Sequence, residues 1–234
     1  MFPLKDDNPS ERPPIVTWSL IAINVAIFFY EFILGDDLTH FIMRWGLVPE
    51  RVTMLVTHGA SPVLAGLPFL TSMFLHGGWM HLIGNMWYLA IFGDNVEDRL
   101  GHFGYLVFYL LAGLAGGALH FVFNTDSTLP TVGASAAIAG VLGAYIVAFP
   151  KARVMTLVML PPFFLRLMAL PAVVLLGLWF VLQIFSGALS LAWAAGASHG
   201  GTAWWGHIGG FAFGAITMMI FGRRGREPSR AWEA

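Results

Sequence analysis

The sequence predicts an all-α integral membrane protein that crosses the bilayer six times. Composition predicts it first: of 234 residues, 57% are hydrophobic and only 11% are charged, against roughly 25% charged in a soluble domain. Mean hydropathy is +0.73. Six separate apolar stretches approach the length of about 20 residues that a helix needs to cross roughly 30 Å of hydrocarbon. The 12 basic and 13 acidic residues leave a net charge of −1, so the charge balance suits no nucleic-acid partner. Cysteine is absent, which removes disulfide frameworks, thiol nucleophiles and Cys-ligated metal sites.

Residues 1–14 are polar and proline-rich and read as a cytoplasmic segment ahead of a membrane domain at 15–222. The first span is 15–34, entered through Pro13-Pro14. It is too long for the apolar core of a signal peptide. Residues 35–75 form a long connection in which Arg44 and Trp45 suit an interfacial depth. The second span, 78–93, ends in the charged stretch 94–99, and the third is 103–123. The fourth, 135–149, is stopped by Pro150, because the residue before a proline avoids the helical region. The fifth starts at 163 or 167 and runs to about 185; the sixth is 203–221, closed by Gly222 and a basic cytoplasmic tail at 223–234. Ten of the twelve basic residues fall at the termini and in the even-numbered connections, leaving only Arg44 and Arg51 on the other side. Positive residues mark the cytoplasmic face, so both termini are expected there.

With that topology, spans two, four and six all begin at the outer face, and the unusual polar residues lie near those beginnings. Span two carries His81 and Asn85, span four opens with Ser135, and span six carries His207. His81 and Asn85 are four apart and share a helix face. Each alone could be hydrogen-bonding glue between helices. Four at one depth point instead to a wet interior site. Span four is short, about 22 Å at ~1.5 Å per residue, and the stretch before it holds Pro130 and Gly133. Ser135 therefore sits below the surface at a helix start, where unpaired N–H groups and the positive dipole end can hold an oxyanion.

Small residues explain how Ser135 and His207 could meet. Gly206, Gly210 and Gly214 recur every four residues in span six, and Ala136, Gly140 and Ala144 do so in span four. Such stripes let two helices approach closely. A serine needs a base to become a nucleophile, and a neutral imidazole is the usual one. No acidic residue lies near the outer ends of these spans, so the candidate is a Ser–His dyad without a third carboxylate. Asp126 reads as a loop residue, Glu31 as reaching the interface from span one, and Trp204 and Trp205 as an interfacial anchor for span six. His40, His58, His102, His120 and His199 receive no role. His76 and His81 are five apart, which is not the spacing of a ligand pair on one helix face.

These residues resemble the rhomboid family of intramembrane serine proteases over about 15–221. Gly133-Ala134-Ser135 matches the family's GxSx element. Gly206-His207 with Gly210 and Gly214 matches its small-His-xx-Gly-xxx-Gly element, and His81 with Asn85 matches its HxxxN element. His76, Glu97, Arg99 and Gly101 stand where the family has structural residues, and Arg44-Trp45 resembles a first-loop element with its order reversed. The residue after the serine is Ala136 where the family usually has glycine; Ala139 stands where some members stack a tyrosine on the histidine. The resemblance implies a six-helix rhomboid-like bundle in which Ser135 is the nucleophile and His207 the base. Asn85 and His81 assist the oxyanion, and single-span membrane proteins in the lipid bilayer are the substrates. It implies no metal or organic cofactor. Lateral substrate access is expected beside span five and the loop 186–202, and the location is a bacterial-type plasma (inner) membrane. An inactive rhomboid-like escort would not need Ser135 and His207 together. A transporter would spread polar residues across the membrane depth and often show a repeat.

Overall fold

The computed structural model describes residues 1–160, 164–193 and 203–222. Nine α-helices and three strands are found among them: β1 (Phe2–Asp6), α1 (Ile15–Ile33), α2 (Leu38–Trp45), α3 (Pro49–Thr57), α4 (Pro62–Thr71), α5 (Trp79–Leu100), α6 (His102–Phe123), α7 (Ser135–Ala148), β2 (Arg153–Leu160), β3 (Phe164–Pro171), α8 (Ala172–Trp193) and α9 (Trp204–Phe221). Helices α1, α6, α8 and α9 are each long and apolar enough to cross a membrane. So is α5 when taken with the segment Pro62–Phe74, from which it bends by 84°. With α7, which is apolar but shorter, these make the helical membrane bundle expected from composition.

α7 is the centre. Ala137, Ala139, Val141, Ala144 and Tyr145 on it are fully buried, enclosed by α5, α6, α8 and α9. Its closest neighbour is α9, and the cause is the absence of side chains. A Cβ on Gly210 would overlap the Ala136 carbonyl, one on Gly214 the Gly140 carbonyl, and one on Gly143 the Phe211 carbonyl. The small-residue stripes therefore bring two parallel helices into backbone contact, the packing mode of membrane helices that lack large interfacial side chains.

α1 is anchored at its start by a side chain from another helix. The Glu97 carboxylate accepts from the backbone N–H groups of Val16 and Thr17 at 2.9 and 2.8 Å and from the Thr17 hydroxyl at 2.7 Å. The first N–H groups of a helix have no partner within it, and Pro14, which precedes α1, makes no side-chain cap. Glu97 supplies the cap from α5, and His102 bonds to the same carboxylate at 2.6 Å.

The strands are an addition to the helical expectation. The sequence predicts a connection after Pro150 and a span starting at 163 or 167; the structure instead pairs β1 with β2 and β2 with β3, all antiparallel, and the helix starts at Ala172. Val154, Thr156 and Val158 alternate inward and are buried. That period of two, carried by β-branched residues, is the strand signal. A hydropathy window averages over it. The sheet closes against the end of α7: the Ala172 N–H donates to the Ala152 carbonyl at 2.8 Å, and the Tyr145 hydroxyl donates to Asp6. The segment 1–14 also docks, with the Trp87 indole N–H donating to the Pro3 carbonyl at 2.6 Å.

Candidate active site

Ser135 is the first residue of α7. The segment ahead of it is held in place by pairing with the first loop. Leu47 and Thr131 exchange two backbone hydrogen bonds, at 3.0 and 2.8 Å, and the Gly133 N–H donates to the Ser72 carbonyl at 2.8 Å. Gly133 has a φ of +124°, in the region that favours glycine. A Cβ there would stand 2.6 Å from His81 Nε2. The turn thus needs glycine twice, for its dihedral and for the histidine that packs on it.

His207, one turn into α9 and buried, places its Nε2 2.8 Å from the Ser135 Oγ. Its Nδ1 lies 2.8 Å from the Gln183 Oε1 on α8. The ring centroid is 5.8 Å from that of Trp179 and meets Trp204 edge-on at 6.4 Å. The aromatic support missing at Ala139 therefore comes from Trp179 and Trp204. Trp204 and Trp205 are half-buried at the start of α9, and Trp205 stacks on Phe123 at 3.9 Å.

Asn85 and His81 face the turn at Gly133. The Asn85 amide nitrogen is 3.0 Å from His76 Nε2. An amide nitrogen has two hydrogens, so a second remains for another acceptor. The His81 Nδ1 accepts from the Gly77 N–H at 3.4 Å, which leaves its proton on Nε2, the atom directed at Gly133. His76 is itself buried, with its backbone N–H 3.2 Å from both oxygens of Glu31. Glu31 is 1% exposed and does not reach the interface. It braces the turn before α5, since a buried carboxylate must find donors.

Ser135, His207, Asn85 and His81 line one cavity of about 530 Å³, together with Tyr88, Trp179 and the segment Pro130, Thr131 and Val132. The Ala136 methyl does not narrow it. A Cβ on Gly116 would be 2.8 Å from it and one on Gly206 3.8 Å, so the methyl points into the seam of α6, α7 and α9. Behind that seam His120 bonds to the Thr131 hydroxyl at 2.8 Å, a link the sequence did not reveal. Asp126 accepts a local bond from the Thr125 hydroxyl at 3.3 Å. Among the described residues no three His, Asp or Glu side chains are grouped as a metal would require. Of the expected loop 186–202, residues 186–193 continue α8, while 194–202, with His199, and the tail at 223–234 lie outside the described residues.

A family model described as the Rhomboid domain matches residues 65–224. The chain belongs to the rhomboid family. Its curated relatives include the Rhomboid protease GluP of Bacillus subtilis, 35% identical over 132 residues, 56% of this chain and 24% of that one. Another is Rhomboid-like protein 11, chloroplastic, of Arabidopsis thaliana, 30% identical over 132 residues, 56% of this chain and 41% of that one. The human presenilin-associated rhomboid-like protein, mitochondrial, is 30% identical over 162 residues, 67% of this chain and 38% of that one. The alignments thus cover less than half the length of each of these three relatives. This rhomboid is an integral membrane protein by its apolar helices and its family.

Proposed function

We propose that this rhomboid is an intramembrane serine endopeptidase that cleaves single-span membrane proteins in or near their transmembrane segments. The observation that carries the reading is the 2.8 Å approach of Ser135 Oγ to His207 Nε2 at the wall of the cavity. Ser135 Oγ attacks the scissile carbonyl while His207 Nε2 takes its proton. The tetrahedral oxyanion is held by the free N–H at the start of α7, by the second hydrogen of the Asn85 amide and by the His81 Nε2–H. His207 gives the proton to the leaving amine, and the acyl-enzyme forms. Water then attacks the ester with His207 as base, and the acid product leaves with Ser135 restored. The substrate helix must open locally to present its backbone, so helix-breaking residues near the bond favour cleavage. No metal or organic cofactor takes part.

The likeness to a protease of a bacterium supports a bacterial-type plasma membrane, and the basic asymmetry supports cytoplasmic termini. The division into an N-terminal segment at 1–14, a membrane domain at 15–222 and a tail at 223–234 belongs to the same reading.

The test is cleavage of a single-span model substrate by purified protein in liposomes, with Ser135→Ala and His207→Ala alongside. Each substitution is expected to lower kcat by at least about 10⁴-fold, because it removes the covalent route itself, while thermal melting shows an intact fold. A folded Ser135→Ala protein that cleaves at the wild-type rate overturns the proposal.

A further inference from the structure

We propose that Gln183 is the positioning residue of this site. It holds the His207 ring in the tautomer whose Nε2 can accept the serine proton, with a neutral amide where a triad has a carboxylate. The inference rests on the reading of Ser135 and His207 as nucleophile and base.

A neutral imidazole carries one N–H, and the partner of one nitrogen decides which nitrogen that is. The Gln183 Oε1 stands 2.8 Å from Nδ1, and an amide oxygen can only accept. Nδ1 is therefore the protonated nitrogen. The lone pair lies on Nε2, the atom that faces Ser135 Oγ. The opposite amide orientation would place an N–H against Nδ1 and leave Nε2 protonated, unable to act as a base. Gln183 is buried and comes four residues after Trp179, so both lie on one face of α8. That face meets the imidazole with a ring contact and a hydrogen bond. Together they fix the ring plane and its rotation.

An amide also suits the solvent. A carboxylate in an apolar bundle carries a large desolvation cost unless it is fully bonded, as Glu97 is at the other end of α5. A neutral acceptor orients the ring without that cost. Its contribution is orientation and tautomer, and it adds no counter-charge to the imidazolium that forms during reaction. α8 thereby becomes part of the catalytic apparatus, since the ring is correctly set only while α8 is seated against α9.

The experiment uses the full chain in detergent, labelled with ¹⁵N-histidine. The ring signals lost in His207→Ala identify His207. Their shifts report which nitrogen carries the proton. A fluorophosphonate probe measures Ser135 reactivity without any peptide substrate, and kinetics on a single-span substrate separate kcat from KM. Wild type is expected to show Nδ1 protonated. Gln183→Leu is expected to be labelled roughly 10–100-fold more slowly, the size of losing the hydrogen-bond partner that orients a functional histidine, as known for metal-bound ones, with KM unmoved and Nε2–H partly populated. Gln183→Glu keeps an acceptor at the same reach and is expected to restore labelling to within a few-fold. A folded Gln183→Leu protein labelled at the wild-type rate overturns the proposal, as does a wild-type ring protonated at Nε2. If Gln183→Leu fails to fold, the wild-type ring spectrum decides alone. A wild-type ring protonated on Nδ1 beside an unlabelled Ser135 would refute the nucleophile and still uphold the role of Gln183.

Discussion

Glu97 and His207 are both polar, both buried and both set in an apolar bundle, but their bonds end in different places. The Glu97 carboxylate is closed on the chain: Val16, Thr17 and His102 supply four donors between 2.6 and 2.9 Å. His207 has one nitrogen on Gln183 and the other on Ser135, a hydroxyl that lines the cavity of about 530 Å³. A polar group in a bilayer needs a reason to be there. For Glu97 the reason is complete within the fold, whereas the bonds of His207 lead to Ser135 at the cavity wall, where the proposed function would use them. Where the bonds end thus separates the cluster closed on the fold from the cluster open to a cavity more sharply than burial does.

On the proposed mechanism, the largest effect after loss of Ser135 or His207 is expected on the oxyanion side of the open cluster. Asn85→Ala is expected to lower kcat by about 10²–10³-fold, or ~2.7–4 kcal/mol, with KM little changed. His76, its neighbour at 3.0 Å, would lose an amide partner, so the melting point is measured alongside. A variant that raises KM alone would make Asn85 a packing or binding residue. The closed cluster should show the reverse. Glu97→Ala leaves two backbone N–H groups and the Thr17 hydroxyl without their acceptor, at a cost of about 2–3 kcal/mol in stability. Melting should fall by several degrees while the rate of Ser135 labelling per folded molecule holds. A labelling rate that fell with the melting point would break the contrast.

The open cluster was legible in the sequence because its members are chemically out of place. Ser135, His207, His81 and Asn85 interrupt apolar runs near the starts of alternate spans, and the glycines of α9 announce the close approach that joins them. Gln183 was not legible. It lies inside an odd-numbered span, far from any span start, and nothing in the run from Ala172 to Trp193 says which face meets α9. The strands at 153–160 and 164–171 escaped because apolar residues on both faces give a strand the same mean hydropathy as part of a span. Glu31 and Glu97 were visible as charges in or beside spans, but their acceptor roles depend on two other segments, the turn at His76 and the start of α1. Contacts between distant segments are what single-chain periodicity cannot carry.

The last prediction, in which Ser135 labelling should not change at all, tests whether the two ends of α7 are independent. At the end opposite Ser135, the Tyr145 hydroxyl donates to the Asp6 carboxylate on β1. Burial pushes the Asp6 carboxyl up to about 7 from its ordinary 3.8; nearby Asp94 and Asp7 act in the same direction, and the Tyr145 bond opposes them. An acid with a raised folded value binds more protons in the native chain than in the unfolded one. The stability it contributes is therefore fully present below about 4, declines as pH rises, and is gone above about 7. Wild-type melting in detergent should fall across that window. In Asp6→Asn the decline should flatten, leaving the variant close to wild type at pH 5 and more stable than wild type at pH 8. Unchanged slopes would remove Asp6 from the proton balance. Ser135 labelling at one fixed pH should be equal in the two proteins, because the sheet meets the far end of a fourteen-residue helix. A labelling rate that followed Asp6 would show that the sheet and Ser135 are coupled through α7, and the contrast between closed and open clusters would have to be redrawn around that helix.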